Sequence, residues 1–118
     1  MLRAFLRSKI HRATVTHVDI AYEGSLSLDE DLMTAADLRP LERIEVWNVT
    51  SGKRFSTYVL RGEKGSRQIG VYGAAGHKVA VGDIIIVAAY GYMDDAEMER
   101  FAPKIVLMDE GNRIAEVK

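Results

Sequence analysis

Tyr22-Glu23-Gly24-Ser25 contains a peptide bond that its own side chain can attack. The Ser25 hydroxyl lies one five-membered ring away from the Gly24 carbonyl carbon. Gly24 does not crowd that carbonyl, and it tolerates the strained backbone such an attack needs. If the bond breaks, a chain with no cysteine gains an electrophile made from its own serine. Gly-Ser is also among the commonest turn dipeptides, so by itself it leaves both readings open.

Other residues supply binding chemistry. Arg54, Ser56 and Tyr58 share one face of a regular strand. An arginine there can grip a carboxylate through two parallel hydrogen bonds, or it can cover an aromatic ring. Trp47, on the facing strand, is placed to wall such a pocket. Gly73-Ala74-Ala75-Gly76 allows a ligand close to the backbone, whose N–H groups suit a carboxylate. Tight internal packing explains the same stretch equally well. His11, His17 and His77 are too scattered for a metal site, since His11 and His17 lie about 20 Å apart along an extended strand. Gly62-Glu63-Lys64-Gly65-Ser66 lacks the spacing of a phosphate loop and reads as a hairpin turn.

The composition frames this chemistry. The chain has 118 residues, 47% of them hydrophobic, which suits one compact domain spanning 1–118. A net charge of −1 argues against nucleic-acid and anionic-membrane surfaces. The absence of cysteine removes disulfides, thiolate nucleophiles and cysteine-based zinc sites. Residues 1–9 are too short and too charged for a signal peptide, and the longest apolar run, Ile84 to Tyr90, cannot span a bilayer. The expectation is a cytoplasmic protein with no nucleic-acid or membrane partner.

The elements that must position these residues are short, β-branched and separated by glycine turns. Strands are expected over Ile10–Val18, with His11 and His17 on one face, and as a short piece from Leu26 to Leu28. A hairpin joins Ile44–Val49 to Arg54–Leu60 across Thr50-Ser51-Gly52-Lys53, and Gln68–Tyr72 forms another strand. The Ile84–Ala89 run is apolar enough to be buried on both faces. Lys104–Met108 and Ile114–Val117 form a closing hairpin. Helices are expected over Asp29–Leu38 and from Asp94, where an acceptor and Glu97 stand three residues apart. The pattern predicts a mainly β fold, a small closed barrel of six to seven strands with short helices.

A series of blocks runs along the chain: Lys9-Ile10-His11-Arg12, Val15-Thr16-His17, Tyr22-Glu23-Gly24-Ser25, Trp47-Asn48-Val49-Thr50, Gly52-Lys53-Arg54-Phe55-Ser56-Thr57-Tyr58, Glu63, Gly65-Ser66, Gly73-Ala74-Ala75, His77 and Val81-Gly82-Asp83. Together they resemble the pyruvoyl-dependent aspartate 1-decarboxylase family over nearly the whole chain. The resemblance implies a double-psi β-barrel and a homotetramer with active sites between subunits. It implies self-cleavage at Gly24–Ser25 into chains 1–24 and 25–118, the second capped by a pyruvoyl group derived from Ser25. That group, without pyridoxal phosphate or a metal, forms a Schiff base with L-aspartate and yields β-alanine and CO₂ for pantothenate synthesis.

By the same resemblance Thr57 stabilises the oxyanion of processing and contacts substrate, and Tyr58 is the proton donor. Arg54 and Lys9 bind carboxylate, Gly73, Ala74 and Ala75 line the substrate, and His11, Tyr22, Trp47, Tyr72 and Ile86 wall the pocket. The family usually carries Asn where this chain has Tyr72, and Ala where it has Gly76. Gly76 is expected to make room for the larger ring. Glutamate as the substrate, or a non-catalytic carboxylate-binding barrel, are the alternatives, and the need for an accessory processing factor stays open.

Overall fold

The computed structural model describes Met1–Lys118. Its elements run β1 (Arg3–Thr14), β2 (His17–Asp19), β3 (Ser25–Asp29), α1 (Glu30–Ala36), β4 (Arg43–Asn48) and β5 (Arg54–Gly62). They continue with β6 (Ile69–Tyr72), β7 (Ile84–Met93), α2 (Asp95–Glu99), β8 (Lys104–Asp109) and β9 (Arg113–Val117). A 3-10 turn, Gly73–Lys78, links β6 to the loop before β7, and a second, Glu110–Asn112, links β8 to β9. The fold is mainly β, as the alternation predicts. No helix is long and apolar enough to cross a membrane.

Nine strands form one sheet in the order β2-β6-β3-β5-β4-β7-β1-β8-β9. Nine strands stand where six or seven were expected, and hydrogen bonds do not close the sheet, since the outer strands β2 and β9 are not bonded to each other. The strand expected over Ile10–Val18 is two, which adds one to the count. Arg12, with φ +69°, sits at a bulge in β1, which breaks the alternation that would have put His11 and His17 on one face. The chain then leaves β1. The Val15 N–H donates to the Asp83 carbonyl, while the Thr16 N–H donates to the carbonyl of Ile69. Thr16 Oγ1 also accepts from the Ile69 N–H at 2.8 Å, so β2 starts beside β6 instead of β7.

The β4–β5 hairpin forms as expected, with Gly52 at φ +80° in its loop. The turn expected after β5 is not a hairpin. β3 inserts between β5 and β6, parallel to the first and antiparallel to the second. In that loop the N–H groups of Gly65 and Arg67 donate to the Asp29 carboxylate at 2.9 and 2.7 Å, so the glycine loop holds an internal anion. Asp29 also caps α1 through the Asp31 N–H. Leu32, Met33 and Ala36, at helical spacing, turn that helix onto the core.

Ile10, Val15, Leu26, Leu28, Ile44, Val46, Val59, Ile69, Val71, Ile85, Val87 and Val106 are essentially inaccessible and fill the interior. Truncating one of the leucines to alanine costs about 3 kcal/mol. The practical result is a rigid β3, buried on both sides, whose first residue is Ser25.

Candidate active site

Two glycines meet where the chain enters β3. A Cβ on Gly73, which has φ +71°, would come within 2.4 Å of the Gly24 Cα, and one on Gly24 would lie 3.1 Å from the Tyr72 carbonyl oxygen. A side chain on Gly73 would drive the two backbones apart, and one on Gly24 would press the Tyr72 carbonyl by a few tenths of an ångström. Gly73 is therefore required by packing, and the bare Gly24 lets it approach.

Ser25 pairs with Tyr72 across β3 and β6. It is fully buried, and its Oγ has no hydrogen-bond partner. Its φ of 157° is a value that L-residues rarely adopt. A buried hydroxyl without a partner costs about 1–3 kcal/mol, and such groups are uncommon enough to point to chemistry.

A cavity of about 500 Å³ opens at this point, lined by Gly24, Ser25, Thr57, Tyr58, Tyr72, Ala74 and Ala75 together with Phe55, Ser56 and Lys78. Seven residues expected from sequence thus converge, and Gly73 packs directly behind Gly24. The parallel register pairs Leu26 with Val59. One pleat earlier it sets Thr57 beside the Gly24–Ser25 bond. Arg54, Ser56 and Tyr58 share one face of β5, as the alternation predicts, and that face is exposed.

Phe55, Ser56 and Lys78 were missed as lining residues. Lys78 follows the small-residue stretch, and a cation at its end was the available signal. Asn48 and Asp83 also act indirectly. The Asn48 amide donates to the Lys78 carbonyl at 3.1 Å and to Asp83 Oδ2 at 2.8 Å, tying the 3-10 turn to the hairpin.

Lys9, His11, Trp47, Arg54 and Ile86 do not line this cavity. Four of them form a row across the sheet, since His11 pairs with Ile86, Ile86 with Trp47, and Trp47 with Arg54. The Arg54 guanidinium lies over the Trp47 ring, 5.0 Å from its centroid, which is the ring-covering alternative for that arginine. His11 Nδ1 is buried without a partner. Burial, then the charges of Lys9 and Arg12, push the His11 imidazole below its ordinary value.

Tyr22 is exposed, and its ring lies 5.7 Å from that of Tyr72. Gly76 does not make room for Tyr72, contrary to expectation: a Cβ there would meet Ile20 and Val18. The room comes from Gly70, whose Cβ would lie 2.3 Å from the Tyr72 hydroxyl oxygen. A second cavity of similar size is lined by Arg39 and by Arg7, Asp37 and Glu42, and Arg7 is already paired with both carboxylates.

A family model described as aspartate decarboxylase matches residues 1–115. An aspartate 1-decarboxylase of Ralstonia nicotianae is 51% identical over 118 residues, covering 100% of this chain and 98% of that protein. The corresponding proteins of Burkholderia ambifaria and Polaromonas naphthalenivorans are 50% and 49% identical, covering 97% and 98% of this chain and 90% and 91% of their own lengths. The chain belongs to the aspartate decarboxylase family.

Proposed function

We propose that this chain cleaves itself at Gly24–Ser25 and then decarboxylates L-aspartate to β-alanine, supplying pantothenate synthesis in the cytoplasm. The observation that carries this reading is the buried Ser25 Oγ, unpartnered and adjacent to a glycine carbonyl. A pyruvoyl group fits here because its precursor hydroxyl has no structural use.

In the cleavage step Ser25 Oγ adds to the Gly24 carbonyl carbon, and the amide becomes an ester as the Ser25 nitrogen is released. Thr57, beside that bond, donates to the oxygen on which negative charge develops. Loss of the Ser25 α-proton expels Gly24 as a carboxylate. Water then replaces the nitrogen of residue 25, and ammonia leaves. Chains 1–24 and 25–118 result.

The pyruvoyl ketone supplies an electron sink for the carbon that loses CO₂. Around it Ala74 and Ala75 offer backbone N–H groups to the substrate, with Gly73 behind them holding their turn against Gly24. The Tyr58 hydroxyl, at the exposed edge of the cavity, returns a proton to the decarboxylated carbon. Arg54 and Lys9 hold carboxylate, with His11, Trp47 and Ile86 as walls and Tyr22 and Tyr72 at the mouth.

The separation of Lys9, and of the row that holds Arg54, from the Ser25 cavity of the same protomer supports an assembly in which a neighbouring subunit completes each site, and the resemblance makes that assembly a homotetramer. The parallel pairs β1–β8, β2–β6 and β3–β5 within an otherwise antiparallel sheet support a double-psi β-barrel path.

Intact-mass measurement on freshly made and incubated protein, with CO₂ release from L-aspartate and L-glutamate, tests the reading. Two fragments and a clear aspartate preference are expected. A chain that stays whole and releases no CO₂ overturns it.

A further inference from the structure

Gly70 and Tyr72 stand two residues apart on β6, so their side chains leave the same face. A Cβ on Gly70 would lie 2.3 Å from the Tyr72 hydroxyl oxygen, 2.6 Å from Cζ and 2.8 Å from Cε2. The Tyr72 ring therefore lies back along its own strand, in a slot that exists only because residue 70 has no side chain. Tyr22 meets that ring at a centroid distance of 5.7 Å and a tilt of 54°.

The Tyr22 backbone also lies close to Gly73: its carbonyl oxygen would be 3.1 Å from a Cβ there, and the Gly73 Cα packs on Gly24. The segment Tyr22-Glu23-Gly24 thus runs past the Tyr72 ring and along the Gly73 backbone. It ends at the bond that Ser25 must attack.

We propose that Gly70 is a positioning residue for cleavage of the Gly24–Ser25 bond: its empty slot seats the Tyr72 ring, which clamps Tyr22 and so aligns the Gly24 carbonyl with Ser25 Oγ. This rests on the self-cleavage reading above. The clamp works through geometry alone, because a displaced approach segment spends less time with the hydroxyl in line with the carbonyl carbon. Residue 70 does not line the cavity itself.

Gly70→Ala is a clean perturbation. Gly70 does not have a left-handed φ, so alanine adds a methyl without backbone strain, and the atoms it meets are the movable end of a side chain. The Tyr72 ring is expected to leave the slot while the fold stays intact. In a Ser25→Ala background, where no cleavage occurs, Gly70→Ala should abolish the nuclear Overhauser contacts between the Tyr22 and Tyr72 rings. In the Ser25 chain it should slow cleavage, followed by intact mass, about five- to tenfold, the worth of one aromatic pair. With Tyr72→Ala already present, adding Gly70→Ala should change the rate no further, since no ring is left to displace.

Ring contacts that persist in Gly70→Ala, an unchanged rate, or an equal slowing with and without the Tyr72 ring each overturn the clamp while leaving self-cleavage intact. A wild-type chain that never cleaves overturns both.

Discussion

β3 is five residues long and carries a buried polar side chain at each end, Ser25 and Asp29. The two are equally hidden from water and oppositely treated. Asp29 accepts three backbone N–H bonds, from Asp31 at 2.8 Å, Gly65 at 2.9 Å and Arg67 at 2.7 Å. Ser25 Oγ accepts and donates none. Nearby, Asn112 repeats the Asp29 pattern: its side chain bonds the Thr14 N–H, the Thr14 carbonyl and the Arg67 carbonyl. A saturated polar group at this depth fastens one loop to another, whereas an orphaned one leaves reactivity unspent. Burial alone does not separate the two roles; the partner count does.

The largest effect expected from breaking this contrast is at Ser25. Ser25→Ala should remove cleavage and decarboxylation to background, yet cost no stability, since it deletes a hydroxyl whose burial costs about 1–3 kcal/mol. Calorimetry against freshly made, still continuous wild-type chain checks this. A drop in melting temperature would mean that the hydroxyl has a structural partner after all, and the contrast would collapse.

Asp29→Ala should do the reverse. It removes three charge-assisted bonds from a buried carboxylate, at a cost of about 3 kcal/mol, or about 10 °C in melting temperature. The acid limb sharpens the test. Burial by itself would raise the Asp29 carboxyl, but the N–H groups of Arg67, Asp31 and Gly65 outweigh it, Lys64 adds to them, and the result lies below the ordinary value of 3.8. The unfolded chain therefore takes up this proton first. The stabilisation is complete above about pH 4 and fades as pH falls through the folded value. Asp29→Ala should unfold with a shallower dependence below about pH 4. Identical acid limbs in the two proteins would place that dependence on another carboxylate.

What could be seen in the sequence divides along similar lines. The start of α1 at Asp29, the hairpin across Gly52 and the cap of α2 at Asp94 are local, each set by residues within one turn of one another. They needed no tertiary knowledge, although Asp29 itself is the cap and not the first helical residue. The split of the first strand at Val15–Thr16 depends on Ile69 and Asp83, far along the chain, and the insertion of β3 between β5 and β6 leaves no periodic trace. Gly24–Ser25 was legible because its chemistry joins adjacent residues. The slot at Gly70 was not, because a glycine two residues from a tyrosine looks like any other until the ring is seen lying on it. Lys9 was nominated by resemblance and Arg54 and Trp47 by strand alternation as well, and strand register then aligned Trp47 and Arg54 with His11 and Ile86 in one row outside the Ser25 cavity.

The smallest expected effect concerns the other orphaned buried atom, His11 Nδ1. Burial first, then Lys9 and Arg12, hold the His11 imidazole below its ordinary value of 6.5. Its partners across the strands, Ile86 and Leu107, carry no charge to offset them. On acidification the unfolded chain binds this proton before the folded one does. Stability therefore declines as pH falls from about 6.5 toward the folded value, the same sense as for Asp29 but in a higher window. His11→Gln should flatten denaturation midpoints between about pH 7 and about pH 5 while leaving the acid limb of Asp29 in place. If wild type and variant lose stability in parallel over that interval, His11 finds a proton-accepting partner in the folded protein, and Ser25 alone keeps the status of an orphan.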